Sequence, residues 1–278
     1  MEEKERLDVR MLREGMAVSR EKAKELIRDG RVTVNGKTAQ KAGMATEPAD
    51  VIQVEERREQ YVSRGGYKLA RALDVFSVDP SGCCCLDAGA STGGFTDCLL
   101  QHGAARVYAV DVGKGQLHES LRKDARVIGR EQVNVRYLDE TVVPELCDLA
   151  VADVSYISLT KVLEALWSRV RSDGRVLCLV KPQFEAGPGV VDKKGVVRDA
   201  AVHRRVLERL VSYCSGQGWT VTGLTYSPIR GPEGNIEYLL CLEQTGEERT
   251  QPDIKQIVQE AHRMLPGRKP ERKEGPTS

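Results

Sequence analysis

No stretch of the sequence approaches the roughly 20 consecutive apolar residues that a membrane-spanning helix requires, and nothing reads as a strongly amphipathic membrane segment. The first residues, MEEKERLD, are acidic and hold no apolar core, so they are not a secretory leader and a cytoplasmic location is expected. Net charge is also scarce. The 278 residues sum to +1, and residues 1–64 hold fourteen Lys and Arg against thirteen Asp and Glu. A nucleic-acid partner would therefore have to be met by charges sorted onto faces. Eight cysteines are present without one C-x-x-C pair, and the four histidines share no ligand spacing. Zinc sites are built on such pairs, so no metal is expected and the thiols are read as small buried hydrophobes. No internal repeat is evident.

What is present divides in two. In the stretch from Arg6 to Gly43, Leu7, Met11 and Leu12 mark a short amphipathic helix. Ser19 suits the N-cap of a second helix, Arg20 to Arg28, with Ala23, Leu26 and Ile27 on its inner face and Gly30 at its end. RVTVNGK turns at Asn35-Gly36, a hairpin signal, and Asp50 to Glu55 reads as a further strand. This is a helix-helix-hairpin unit of about 50 residues, small for a lone domain. The polar run from Glu55 to Gly66 reads as a linker, and Leu69, Leu73 and Phe76 then mark a helix that carries Lys68.

From there strands and helices alternate, as in a parallel α/β sheet. Strands are expected at Cys83–Asp87, Arg106–Asp111, Asp148–Asp153 and Arg175–Lys181, and helices at Gly94–His102, Leu159–Val170 and Asp199–Gly216. The end differs. WTVTGLTYS and IEYLLCLE are joined by PIRGPEGN with no helix between them, so this pair should be antiparallel. Asp253 to Leu265 suits a last amphipathic helix, and PGRKPERKEGPTS a disordered tail.

The glycine-rich turn LDAGASTGGFTD, Leu86 to Asp97, lacks the G-x-G-x-x-G spacing of a dinucleotide loop. Ligands of such sheets bind beyond the carboxyl ends of the strands. Gly89, Gly93 and Gly94 would let the backbone approach a ligand, since no Cβ intervenes. Asp87 and Asp111 end two successive strands, the second about where a ribose-binding carboxylate belongs. The D-x-G-x-x-x-G-G arrangement resembles the first motif of S-adenosylmethionine-dependent methyltransferases. On that reading the cofactor site comprises Asp87, Gly89, Ala90, Ser91, Gly93, Gly94, Phe95, Asp111, Val112, Asn134, Val135 and Asp153. Phe95 would be a wall or gate, and Asn134 and Val135 would line the adenine.

Asp153 and Lys181 also stand at the carboxyl ends of strands, each after an apolar run. An antiparallel last strand would bring Glu237, at its start, beside them. With Lys68 from the preceding helix, two lysines and two carboxylates would converge at one edge. Lys, Asp, Lys, Glu in this order resembles the tetrad of FtsJ-type ribose 2′-O-methyltransferases. SRGGYKL, LDAGASTGGFTD, VADVSYISL, VKPQFEAG and NIEYLL together resemble the TlyA family, historically called haemolysin A. That family joins an S-four-like RNA-binding domain to such a methyltransferase.

The resemblance implies a Rossmann-like α/β methyltransferase sheet, mostly parallel with an antiparallel last strand, behind a small α+β N-terminal RNA-binding domain. The expected divisions are residues 1–58, a linker at 59–63, the methyltransferase at 64–246, and a C-terminal helix and tail at 247–278. It implies S-adenosylmethionine as cofactor, no metal, a monomer, and ribosomal RNA or its subunits as partner, with methyl transfer to a cytidine 2′-hydroxyl of large-subunit and in some members small-subunit RNA. Arg6, Arg20, Lys41 and Arg64 become the candidate RNA contacts, and Tyr156 and Phe184 could stack on bases. Lys181 becomes the candidate base. Desolvation and the second ammonium of Lys68 would ease its deprotonation, while Asp153 and Glu237 oppose it and orient the lysines. The competing readings are a ribosome-assembly protein without turnover and a membrane-lytic protein.

Overall fold

The computed structural model describes residues 4–28, 30–55, 60–187, 189–244 and 252–266. Contacts divide the chain into two units, Met1–Gln60 and Tyr61–Ser278. The expected boundary at residue 58 and the expected disordered tail lie outside the described residues.

The first unit runs β1 (Glu5–Arg6), α1 (Leu7–Arg13), α2 (Arg20–Arg28), β2 (Val32–Val34), β3 (Lys37–Thr38), β4 (Ala45–Thr46) and β5 (Ile52–Val54). Strands β3, β2 and β5 form an antiparallel sheet in that order, while β1 pairs with β4. The hairpin turns at Asn35, whose φ of +51° is tolerated by asparagine. Leu7, Met11, Ala23, Leu26 and Ile27 from the helices meet Val32, Val34 and Ile52 in a small core. Strands β1 and β4 were not foreseen; at two residues each they offer no periodicity to read.

In the second unit, α3 (Gly65–Phe76) precedes β6 (Cys84–Ala88), α4 (Gly94–Gln101), β7 (Arg106–Val110), α5 (Glu119–Lys123) and β8 (Val127–Arg130). There follow β9 (Cys147–Ala152), α6 (Leu163–Trp167), β10 (Val170–Val180), α7 (Pro182–Glu185), α8 (Ala200–Gly216), β11 (Thr220–Tyr226), β12 (Tyr238–Glu243) and α9 (Ile254–Met264). Seven strands form one sheet in the order β11-β12-β10-β9-β6-β7-β8, and β12 runs antiparallel to both neighbours. Alternate residues of each strand serve opposite faces. Leu86, Ala88, Ala150, Ala152, Val176 and Cys178 pack against α6 and α8, whereas Cys85, Leu149, Val151, Leu177 and Leu179 pack against α3 and α4. With both faces covered, the inner strands read as nearly continuous apolar runs.

Three differences from the sequence reading stand out. Tyr61 and Val62, assigned to the linker, belong to the second unit: Tyr61 is buried, and the Val62 amide donates to Asp97 Oδ2 at 2.7 Å. The helix expected over 159–170 is a 3-10 turn at Leu159–Lys161 followed by the short α6. Strand β10 begins at Val170, with a register shift before Arg175.

Candidate active site

Parallel register fixes the floor of the site. Ala88 pairs with Val110 on one side and Ala152 on the other, so Gly89, Asp111 and Asp153 leave the sheet at one level. Gly89 has φ +86°, and a Cβ there would lie 2.8 Å from the backbone oxygen of Asp153. Only glycine fits such a left-handed, closely approached position. Asp111 accepts the Ser91 amide on Oδ2 at 2.8 Å and the Gly113 amide on Oδ1 at 2.6 Å. It thereby ties the glycine-rich turn to its own strand end, and each oxygen keeps acceptor capacity.

Above this floor opens a cleft of ≈ 550 Å³. Its wall includes seven of the positions expected for the cofactor: Gly89, Ser91, Asp111, Val112, Asn134, Val135 and Asp153. Gln116, Arg136, Ser155 and Tyr156 also line it and were not assigned to it from sequence. Gln116 sits in an irregular loop without a pattern, and Ser155 and Tyr156 lie two and three residues beyond Asp153, where no pattern in the sequence shows which way the loop turns.

Five expected positions stand behind the wall. Asp87 is fully buried; its Oδ2 accepts the Thr96 hydroxyl at 2.6 Å, and Oδ1 has no hydrogen-bond partner among the described residues. Burial pushes this carboxyl up to about 7, against the opposing Thr96 bond. Gly93 and Gly94 have packing reasons: a Cβ would lie 2.3 Å from Leu121 Cδ1 at the first, and 2.2 Å from Ser63 Oγ at the second. Ala90 is buried. Phe95, read as a wall or gate, is 4% exposed and packs in the core with Leu69 and Leu99.

The four expected charged residues do meet, as two ion pairs. Lys68 Nζ lies 2.6 Å from Glu237 Oε2, and Lys181 Nζ lies 2.6 Å from Asp153 Oδ1. Topology brings this about. Val180 pairs with Tyr238, so Lys181 and Glu237 flank one end of that ladder, and α3 packs along β12. Pro182 holds Lys181 extended, at φ −110° and ψ 101°. The first pair is nearly closed to solvent, at 8% and 1% exposure, and the second is more open, at 10% and 21%. Burial pushes the Glu237 carboxyl above its usual range, Lys68 opposing. Lys181 Nζ also donates to Ser155 Oγ at 2.7 Å. Tyr156 is 91% exposed, and its ring centroid lies 4.9 Å from that of Phe184. The Phe184 ring in turn lies 5.9 Å from Lys181 Nζ.

In the first unit the sequence reading missed the residue that organises its cations. Asp8 is buried and accepts Arg6 Nε at 2.9 Å on one oxygen and Arg20 Nη2 at 3.0 Å on the other. The Arg6 hydrogen bond, with help from Arg20, holds the Asp8 carboxyl down at about 2 against burial. Both guanidinium groups remain about half exposed. Lys41 is exposed. In the second unit, exposed Arg64 spends one N–H on the Arg230 carbonyl at 2.6 Å. Among the described residues no helix is long and apolar enough to cross a membrane.

A family model described as FtsJ-like methyltransferase matches residues 61–244, and one described as S4 domain matches residues 5–52. A Bacillus subtilis protein provisionally named rRNA methyltransferase YqxC is 43% identical over 272 residues, 96% of this chain and 97% of the relative. The Mycobacterium tuberculosis 16S/23S rRNA (cytidine-2'-O)-methyltransferase TlyA is 44% identical over 254 residues, 91% of this chain and 92% of the relative. A solved Streptococcus thermophilus structure, described as a candidate hemolysin, superposes with a TM-score of 0.73 at 42% identity, covering 95% of this chain and 98% of that one.

Proposed function

The chain belongs to the FtsJ-like methyltransferase family, with an S4 domain ahead of the catalytic unit, and on that premise we propose that it methylates the 2′-hydroxyl of a cytidine in ribosomal RNA, with S-adenosylmethionine as donor. The observation that carries the reading is the pair of lysine–carboxylate contacts, one of which reaches the cleft through Asp153. The cleft suits the donor. Its volume is ordinary for a small-molecule site, and Asp111, in its wall, offers two acceptors to a diol. When bound there, S-adenosylmethionine supplies an electrophilic methyl group.

The protein's own part is to place the hydroxyl and remove its proton. Asp153 stands both in the cleft wall and against Lys181 Nζ, so the donor site and the lysine share one residue. Lys181 takes the proton of the ribose 2′-hydroxyl, and Asp153 orients its amine. Lys68, screened from solvent and held by Glu237, faces the alkoxide that develops. In-line attack makes orientation a large share of the rate. Arg6, Arg20, Lys41 and Arg64 contact RNA phosphate, and Tyr156 stacks on a base. The name of the Mycobacterium tuberculosis relative covers RNA of both subunits, and the same range is proposed here.

The test is to offer purified ribosomal subunits from a strain lacking this protein, with radiolabelled donor. Label is expected on rRNA, at a 2′-O position mapped by reverse transcription. Label on protein or on free nucleotides, with none on rRNA, would overturn the proposal.

A further inference from the structure

Three side chains beyond the tetrad hold the loop that leaves β9. Continued past the last bonded pair, Cys178 with Ala152, the parallel register of β10 and β9 sets Lys181 level with Ser155. There Lys181 Nζ donates to Ser155 Oγ at 2.7 Å. A lysine ammonium carries three N–H donors. Asp153 and Ser155, two residues apart on one loop, engage Nζ from one side.

The same loop is fastened again one turn later. Glu185, 6% exposed, accepts the Ser158 hydroxyl on Oε2 at 2.6 Å and the Leu159 amide on Oε1 at 2.7 Å. Between the two fastenings lies Tyr156, with φ +62°, a left-handed backbone rare outside glycine, asparagine and aspartate. Such strain persists only where the surroundings over-determine the conformation. The loop is thus held on both sides of a strained residue, and both fastenings run to the strand exit that carries Lys181.

We propose that Ser155 is a positioning residue for this reaction: its hydroxyl, on a loop clamped by Glu185, fixes the direction of the Lys181 amine toward the ribose hydroxyl. The inference rests on the reading of Lys181 as base. A neutral hydroxyl suits the task, because it accepts from the charged amine and can rotate to donate to the neutral one. A second carboxylate would only hold the proton.

The experiment compares Ser155→Ala, Ser155→Cys and Ser155→Thr in the full-length protein, with Lys181→Ala alongside. Each is assayed for kcat and KM on ribosomal subunits, for donor affinity by calorimetry, and for its thermal midpoint. Ser155→Ala and Ser155→Cys should lower kcat on the order of tenfold to a hundredfold, the scale of a misplaced catalytic group. RNA KM, donor affinity and midpoint should stay near wild type, and Ser155→Thr should restore most of the rate. Wild-type kcat in Ser155→Ala, beside an inactive Lys181→Ala, would overturn the positioning role alone. A Ser155→Ala whose loss appears in donor affinity, with kcat kept at saturation, would overturn it as well, leaving a cleft contact. An active Lys181→Ala would instead remove the base on which the inference stands.

Discussion

A carboxyl sealed from solvent with one oxygen unbonded, as at Asp87, keeps its proton to about pH 7 because burial disfavours the charge. Its folded value lies above the ordinary 3.8, so its contribution to stability is complete below that pH and is lost as pH rises toward 7. If the cationic end of the donor reaches Oδ1 from the cleft, it reverses the preference and expels the proton. Donor affinity is therefore expected to increase with pH by up to about tenfold per unit below 7 and then to level off. Calorimetry in buffers of different ionisation enthalpy should register a proton released on binding, and Asp87→Asn should abolish both effects. Equal heats in all buffers would place the cation elsewhere. From sequence, Asp87 and Asp111 look like equivalent strand-end acids. The structure separates them by depth: Asp87 is still inside its strand, level with Ala109, whereas Asp111 lies beyond the last bonded pair, Ala88 with Val110, and stands in the cleft wall.

At the scale of elements, helices α1 and α2 are joined by a charge cluster rather than by apolar contact alone. Asp8, on the first turn of α1, brings together Arg6 before it and Arg20 at the start of α2. If these cations meet RNA phosphate, Arg6→Ala and Arg20→Ala should each flatten the slope of log affinity against log salt by roughly 0.7 to 0.9. Asp8→Asn removes no cation. It should weaken RNA binding with the slope kept, as fluorescence titration across a salt series would record. An Asp8→Asn slope as flat as those of the arginine variants would contradict this division of labour.

Some elements were legible because their chemistry is local. The inner strands show as apolar runs, and Asp199 caps α8 by accepting the Ala201 amide at 2.8 Å. Strand β8 was not legible. It is an edge strand of three half-buried residues and one exposed glycine, without alternation, and α5 is too short to show a face. The tetrad could be assembled from strand ends and one antiparallel pairing. Ser155 and Glu185 could not, because a serine or glutamate near a strand end has no meaning until its neighbour's register is known.

Across the whole molecule, acid should act through His203. It is fully buried on α8; its Nε2 meets the Val197 carbonyl at 3.0 Å and its Nδ1 the Tyr238 hydroxyl at 2.8 Å. The neutral ring satisfies both, donating to the carbonyl and accepting from the hydroxyl. Burial pushes its value down to about 4, from an ordinary 6.5. The unfolded chain therefore binds this proton before the folded one. Stability present above pH 6.5 should be lost as pH falls toward 4, by up to about 1.4 kcal/mol per unit. Asp87 works in the opposite sense over part of this range, so the comparison must be by difference. Chemical denaturation from pH 8 to 4 should show a shallower acid loss in His203→Gln than in wild type. Parallel curves would exclude His203 as the source.

The sheet order has a consequence for the time at which activity appears. Strand β12 lies between β10 and β11, so β11 has no place in the sheet until the later strand is inserted. The residue just before β12 is Glu237, the partner of Lys68 from the first helix of the same unit. A growing chain can thus build five parallel strands and most of the cleft wall while one of its lysines has no counter-ion. If the Lys68–Glu237 pair takes part in the reaction as proposed, competence to react arrives in one late step, when the final hairpin joins the two ends of the unit. On that reading a chain still in synthesis would hold a cleft for the methyl donor before it could spend the methyl group.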